Sequence, residues 1–178
     1  MKIAIIGTAG RDKTKPMTLE LWEWMLEHAK LNVPKSAHIV SGGAAWADHL
    51  AVTLFLEGYV KELTLHFPAP FLLEQCKFKG PTGSAASAAN YYHSQFSKII
   101  GTNTLAEIAK AIGTEGVSTT FEPDAVGYGG MFARNLKVAQ SGGLLAYTFG
   151  IGDVPADGGT KHTWDKCVGK KYHVPLPQ

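Results

Sequence analysis

Cysteine is scarce. Cys76 and Cys167 are the only two in 178 residues, far apart and without CxxC or Cys/His spacing. That excludes a disulfide scaffold and fits reduced thiols in a cytoplasmic protein. No apolar run approaches the roughly 18 residues of a membrane span, so a membrane partner is not expected. Charged residues make up 18% of the chain and the formal net charge is +2. With no basic run and no Lys/Arg face, charge does not favour nucleic acid, which is not expected as a partner. The histidines, among them His49, His66 and His93, show no metal-ligand spacing. HExxH, nucleophile-elbow and Walker A patterns are also missing. Neither a metal nor a cofactor is expected. The opening stretch, residues 1–7, is too short for a signal peptide and reads as a first strand.

What is present describes one soluble domain. Hydrophobic residues reach 45%, enough for a real core at this length. Apolar runs predict strands at 3–6, 37–40, 62–67, 144–149 and 171–175, with Pro175 suiting the end of an edge strand. Helical patterns fall at 19–29 (with Thr18 as cap), 46–56, 85–100, 104–112 (capped by Thr104), 131–139 and 163–168. The order β-α-β-α-β at the start calls for a doubly wound, mainly parallel five-stranded sheet with helices on both faces. Residues 113–130 carry few cues, several glycines, Glu122 and Asp124. A loop of that length is either a functional lid or an insertion within the single 1–178 domain.

Three small-residue loops follow strands: Gly7-Thr8-Ala9-Gly10-Arg11, Ser41-Gly42-Gly43-Ala44 and Asp157-Gly158-Gly159-Thr160. In a parallel sheet, strand ends share one rim, and ligands bind where neighbouring crossovers diverge. Glycines let the backbone approach a ligand, and free N–H groups at a helix start point towards an anion. A single such turn is equally well explained by turn geometry. Three of them at one rim point to a phosphate-bearing ligand. Lys161, at a helix start, opposes the dipole unless an anion is present. Asp48 has a plain structural explanation as a first-turn carboxylate, and Trp46 is either a packing residue or a base-stacking one.

Residues 41–51, Ser-Gly-Gly-Ala-Ala-Trp-Ala-Asp-His-Leu-Ala, resemble the SGGARGAD-type motif of the SLOG superfamily. That group includes the Smf/DprA proteins, the LOG phosphoribohydrolases and the YpsA/YspA-like proteins. Arg134-Asn135, the strand at 144–149 and Gly158-Gly159-Thr160 look like the second half of the same pattern. The resemblance implies a Rossmann-like fold that binds nucleotides or nucleotide-derived ligands, and a homodimer or larger assembly. It maps the glutamate of the LOG-type PGGxGTxxE motif onto Asp165 and its partner arginine onto Arg134. A carboxylate and an arginine suit N-glycoside cleavage, which passes through an oxocarbenium-like state. The chain departs from the pattern: Asp157 replaces proline, Lys161 and His162 replace Gly-Thr, and Ala45 and Trp46 stand where arginine and glycine are usual.

The expected ligand is therefore a nucleotide or a nucleotide-derived small molecule. Asp165 and Arg134 are the catalytic candidates. Gly7, Thr8, Ala9, Arg11, Ser41, Gly42, Gly43, Asp48, Gly130, Asn135, Gly158, Gly159, Thr160 and Lys161 are the binding candidates. Two roles lead: hydrolysis of the N-glycosidic bond of a nucleoside 5′-monophosphate or related nucleotide, or non-catalytic sensing or sequestering of such a ligand. A third, single-stranded DNA handling as in the Smf/DprA proteins, is disfavoured by a short, nearly neutral chain.

Overall fold

A computed structural model of the chain describes residues 1–122, 129–155 and 158–178. The elements are β1 (Lys2–Gly7), α1 (Leu19–Asn32), β2 (His38–Ser41), a 3-10 turn (Trp46–Asp48) leading into α2 (His49–Leu56), and β3 (Glu62–Phe67). A small hairpin, β4 (Phe71–Leu72) and β5 (Lys77–Phe78), precedes α3 (Ala85–Ile100), α4 (Thr104–Ile112) and β6 (Val117–Phe121). The chain ends with α5 (Gly129–Val138), β7 (Gly143–Thr148), α6 (Gly159–Lys166) and β8 (Lys170–Pro175).

The main sheet has six strands in the order β6-β3-β2-β1-β7-β8, every pair parallel. The five-strand expectation is thus wrong by one. The extra strand is Val117–Phe121, paired with β3 from Leu63↔Val117 to Phe67↔Phe121. It lies inside the stretch read as a lid or insertion. As an edge strand it buries little: Ser118, Thr119 and Phe121 are exposed, so the apolar run that marks a central strand is missing. The rest of that stretch, including Asp124, lies outside the described residues.

The Rossmann-like α/β character holds, and side-chain alternation along β1 explains why helices cover both faces. Ile5 joins the larger core with Ile39, Leu63, Leu145 and Tyr147, roofed by residues of α1 to α4. Ala4 and Ile6 join the smaller one with Val40, Leu144 and Ala146, roofed by Val138, Trp164 and Cys167 from the α5 and α6 side. From β1 the order runs outward through β2 and β3 to β6, and then returns to β7 on the other side of β1. The point where the crossovers diverge is therefore between β1 and β7.

Helix starts follow side-chain caps. The Thr18 hydroxyl accepts from Leu21 N at 3.2 Å, as the sequence suggested. The buried stripe of α1 is Trp22, Met25 and Ala29, whereas Leu19 stays 39% exposed. Helix α4 is capped by Asn103, whose Oδ1 accepts from Ala106 N at 3.0 Å, rather than by Thr104. The Thr104 hydroxyl is buried against His93 Nδ1 and Ser97 Oγ, each at 2.8 Å.

Trp46 takes a left-handed φ of 64° and is buried. Its ring sits 4.4 Å from that of Phe96 and 6.5 Å from that of Trp22. It is a core residue, not a base-stacking one. Phe96 is fully buried and also meets Trp22 edge-on at 5.0 Å. Phe96→Ala should lower the unfolding free energy by about 3–5 kcal/mol, read as a shifted urea midpoint at unchanged slope.

Candidate functional site

The end of β1 is fixed from two sides. Gly7 carries a φ of 153°, and a side chain there would strike the Tyr147 carbonyl and the Ala47 methyl. Thr8 N donates to Tyr147 O at 2.8 Å, and Ala47 N donates to Thr8 O at 3.2 Å. The loop after β1 is thereby tied to β7 on one flank and to the turn after β2 on the other. Beyond it, Asp12 accepts from Thr14 N and Oγ1 at 2.9 and 2.6 Å, which folds the exposed stretch carrying Arg11 and Lys15.

The loop after β2 is shaped by a buried ion pair. Arg134, on α5, donates through Nη1 to Gly42 O and through Nε to Met131 O at 3.4 Å. Its Nη1 also lies 3.9 Å from Asp48 Oδ2. Asp48 accepts from Ala44 N at 3.1 Å, so it caps the loop rather than merely facing a helix dipole. Burial pushes the Asp48 carboxyl above its ordinary pKa against the pull of Arg134, and pushes the guanidinium below its own. A side chain at Gly42 would come within 2.6 Å of Arg134 Cδ; glycine is what allows the guanidinium to lie against the loop. The Ser41 hydroxyl donates to Ile5 O at 2.8 Å and is wholly buried, and Gly43 O accepts from His93 Nε2 at 2.9 Å.

The third loop meets the first. The Thr160 hydroxyl donates to Gly7 O at 3.1 Å, and Asn135 Nδ2 donates to Gly159 O at 3.4 Å. Gly158 has a left-handed φ of 113° and offers α6 no side-chain cap. Among the described residues, a Cβ on Gly158 would meet nothing within 4 Å, and one on Gly159 only Asn135 Nδ2 at 3.8 Å. The first turn of α6 therefore opens onto free space, the arrangement in which backbone N–H groups can face an anion.

These three loops line one cleft of about 600 Å³ at the β1–β7 divergence. Of the sequence-predicted residues it gathers Gly7, Thr8, Ala9, Arg11, Gly42, Asp48, Arg134, Asn135, Gly158, Gly159 and Thr160. Ser41 and Gly130 are buried behind the wall, and Gly43 faces a smaller adjoining slot. Asp165 and Lys161 are not brought in. They pair with each other on the exposed side of α6, Nζ to the two carboxylate oxygens at 2.6 and 2.7 Å. Asp157 lies outside the described residues. Sequence reasoning missed Lys15, Asp12, Phe132 and Phe149, which also line the cleft. Phe149 had a signal, since it closes the apolar run of a central strand at the rim where ligands bind.

Among the described residues, no group of three or more His, Cys, Asp or Glu could hold a metal ion. No described helix is long and apolar enough to cross a membrane.

No family model matches the sequence. The chain is 32% identical over 176 residues to an uncharacterized protein, R261, of Acanthamoeba polyphaga mimivirus, covering 93% of this chain and 90% of that one. Among solved structures it is similar to DNA processing protein A from Helicobacter pylori, described for its single-stranded DNA binding mode, at a TM-score of 0.55 and 20% identity. That match covers 93% of this chain but 60% of the other. The likeness carries the fold, which is the fold the SLOG-type motif implied. It also overturns the expectation against nucleic acid. A protein with this fold binds single-stranded DNA, so weak net charge is no ground for excluding that class of partner.

The buried histidine that steadies the second loop gives the site a pH signature. Burial lowers His93 to about 3 and half-buried His66 to about 4, both from 6.5. The folded state thus refuses protons that the unfolded chain accepts. Stability should be complete above about pH 6.5 and decline as pH falls towards 4.5. Urea midpoints across that range should show the decline, and His93→Gln should flatten it.

Proposed function

We propose that this protein, which belongs to the same family as the mimivirus protein R261, binds a nucleotide unit through its phosphate, without turning it over. The observation that carries this reading is the cross-tied set of three loops around one cleft at the β1–β7 divergence, with the uncapped first turn of α6 opening into it. Arg11 and Lys15 add exposed positive charge at the rim, suited to a phosphate. Phe132 and Phe149 add apolar walls for sugar and base. The volume falls within the ordinary range for small-molecule sites.

Asp165-dependent N-glycoside hydrolysis lacks this support. Asp165 is engaged by Lys161 on the outer face of α6. Arg134 is engaged by Gly42 and Asp48. Among the described residues, the carboxylates on the cleft are Asp12 and Asp48, held respectively by Thr14 and by Ala44. Asp48 is buried against Arg134 and Ala44, and Asp12 is held through one oxygen by Thr14. These engagements favour binding over turnover as the role of the cleft.

The nucleotide could be free or a unit within a strand, and the single-stranded DNA binding of the Helicobacter pylori neighbour supports testing both. Calorimetric titration with nucleoside 5′-monophosphates and a short single-stranded oligonucleotide should detect binding, and no free base should appear on prolonged incubation. The double variant Arg11→Ala, Lys15→Ala should weaken binding about tenfold or more, the worth of one or two charge-assisted contacts. Gly159→Val, which fills open space, should do the same without loss of stability. Absence of binding to both ligand types would end the proposal, and release of base would replace it with the hydrolytic one.

A further inference from the structure

Beside the main cleft lies a small second pocket of about 10 Å³. The two share Ala9, Arg11, Ala44, Met131 and Arg134 as a common wall. The slot is floored by small side chains, Ala45 and Ala89 among them, with Pro68 at one end and the Tyr92 ring at one side. One side of it is closed by a guanidinium. Arg11 places its Cζ 4.9 Å from the Tyr92 ring centroid, and its Nη2 donates to Met131 Sδ at 3.4 Å. A thioether is a weak acceptor for a cation. Arg11 is itself exposed, so it is free to leave.

We infer that this slot is a ring pocket gated by Arg11: an anion in the main cleft draws the guanidinium off Tyr92, and a planar heterocycle takes its place over the same ring. The inference rests on the phosphate-binding reading of the cleft and deepens it by assigning the base a separate compartment. The shape argument is direct. A guanidinium and a nucleobase are both planar groups that lie over aromatic faces. Arg11 is exposed over a half-buried Tyr92 and lines the main cleft as well, so the space its guanidinium would vacate lies beside that cleft. The energetic argument is that a phosphate oxygen is a stronger partner for Arg11 than a ring face and a sulfur together.

Such a gate makes the two halves of the ligand help each other, and that linkage is reciprocal. A free nucleoside must displace Arg11 unaided, whereas bound phosphate has already moved it. The test titrates a nucleoside into the protein with and without saturating inorganic phosphate, phosphate binding being measured separately. Nucleoside affinity should rise at least about fivefold with phosphate, the lower end of typical coupling. Arg11→Ala should bind nucleoside without phosphate and show no such rise. Tyr92→Ala should weaken nucleoside binding about tenfold, with Tyr92→Phe restoring it, since stacking needs the ring and not the hydroxyl. Ala89→Leu, which fills the slot, should abolish nucleoside binding and spare phosphate. Phosphate bound normally, with nucleoside affinity indifferent to it and to Tyr92→Ala, would overturn the gate and leave the cleft reading standing. No phosphate binding at all would overturn both.

Discussion

The arrangement of the site depends on one buried charge. Arg134 is almost wholly inside the protein, where an unpaired guanidinium would cost several kcal/mol. It is tolerable only because Gly42 O and the Asp48 carboxylate meet it, and both belong to the segment after β2. Helix α5 and that segment are thus held in one relation. The loop is also shaped to match. Gly42 carries no Cβ because the guanidinium stem lies where one would be, and Asp48 turns its other contact to Ala44 N. Gly42, which looks like part of a phosphate cradle in the sequence, serves first to accommodate an arginine.

With the second loop occupied in this way, the open donors of the site are elsewhere. They belong to the first turn of α6, which Gly158 leaves uncapped, set against the end of β1 by Thr160 and against α5 by Asn135. The strand order makes that meeting possible. Because β1 and β7 are direct parallel neighbours, from Ile3↔Gly143 to Gly7↔Tyr147, their following loops start side by side and need only two hydrogen bonds to lock. Chemistry at the cleft is therefore governed by the β1 and β7 loops, with the β2 loop as a rigid backing.

Much of this was legible in the sequence. Where a strand is central, continuous apolar character announces it, as at Ile3 to Ile6 and Leu144 to Tyr147, which pack against both cores. The convergence of the three loops followed from parallel topology alone. What escaped reading had physical reasons. Val117–Phe121 is a polar edge strand, held by backbone bonds to β3 and not by burial. Its Val-Ser-Thr-Thr-Phe composition, β-branched and aromatic, was the remaining signal. Asp165 was placed by counting from Gly158, but α6 begins at Gly159. At an i, i+4 spacing from Lys161 on that helix, the carboxylate closes an ion pair along the outer face. Trp46 could not be resolved from spacing alone, since a left-handed φ turns its ring into the core towards Phe96.

The misreading of nucleic acid has a different cause, one of scale. A net charge of +2 speaks to sequence-independent attraction along a duplex, which grows with the number of phosphates neutralised. It says little about a grip on one or two phosphates. That needs only local charge and aligned donors, and a nearly neutral chain can supply them. Here Arg11 and Lys15 stand at the same cleft as the uncapped turn of α6, and the carboxylate between them in sequence, Asp12, is turned into its own loop by Thr14. Arg134 is already matched by Asp48 and adds no free charge. Among the described residues the rim therefore carries more positive charge than the nearly neutral chain as a whole, and on the proposed reading a single nucleotide unit, free or within a strand, would meet the same two cations. Whole-chain charge sets how strongly the protein adheres to polyanions; the rim sets what it selects.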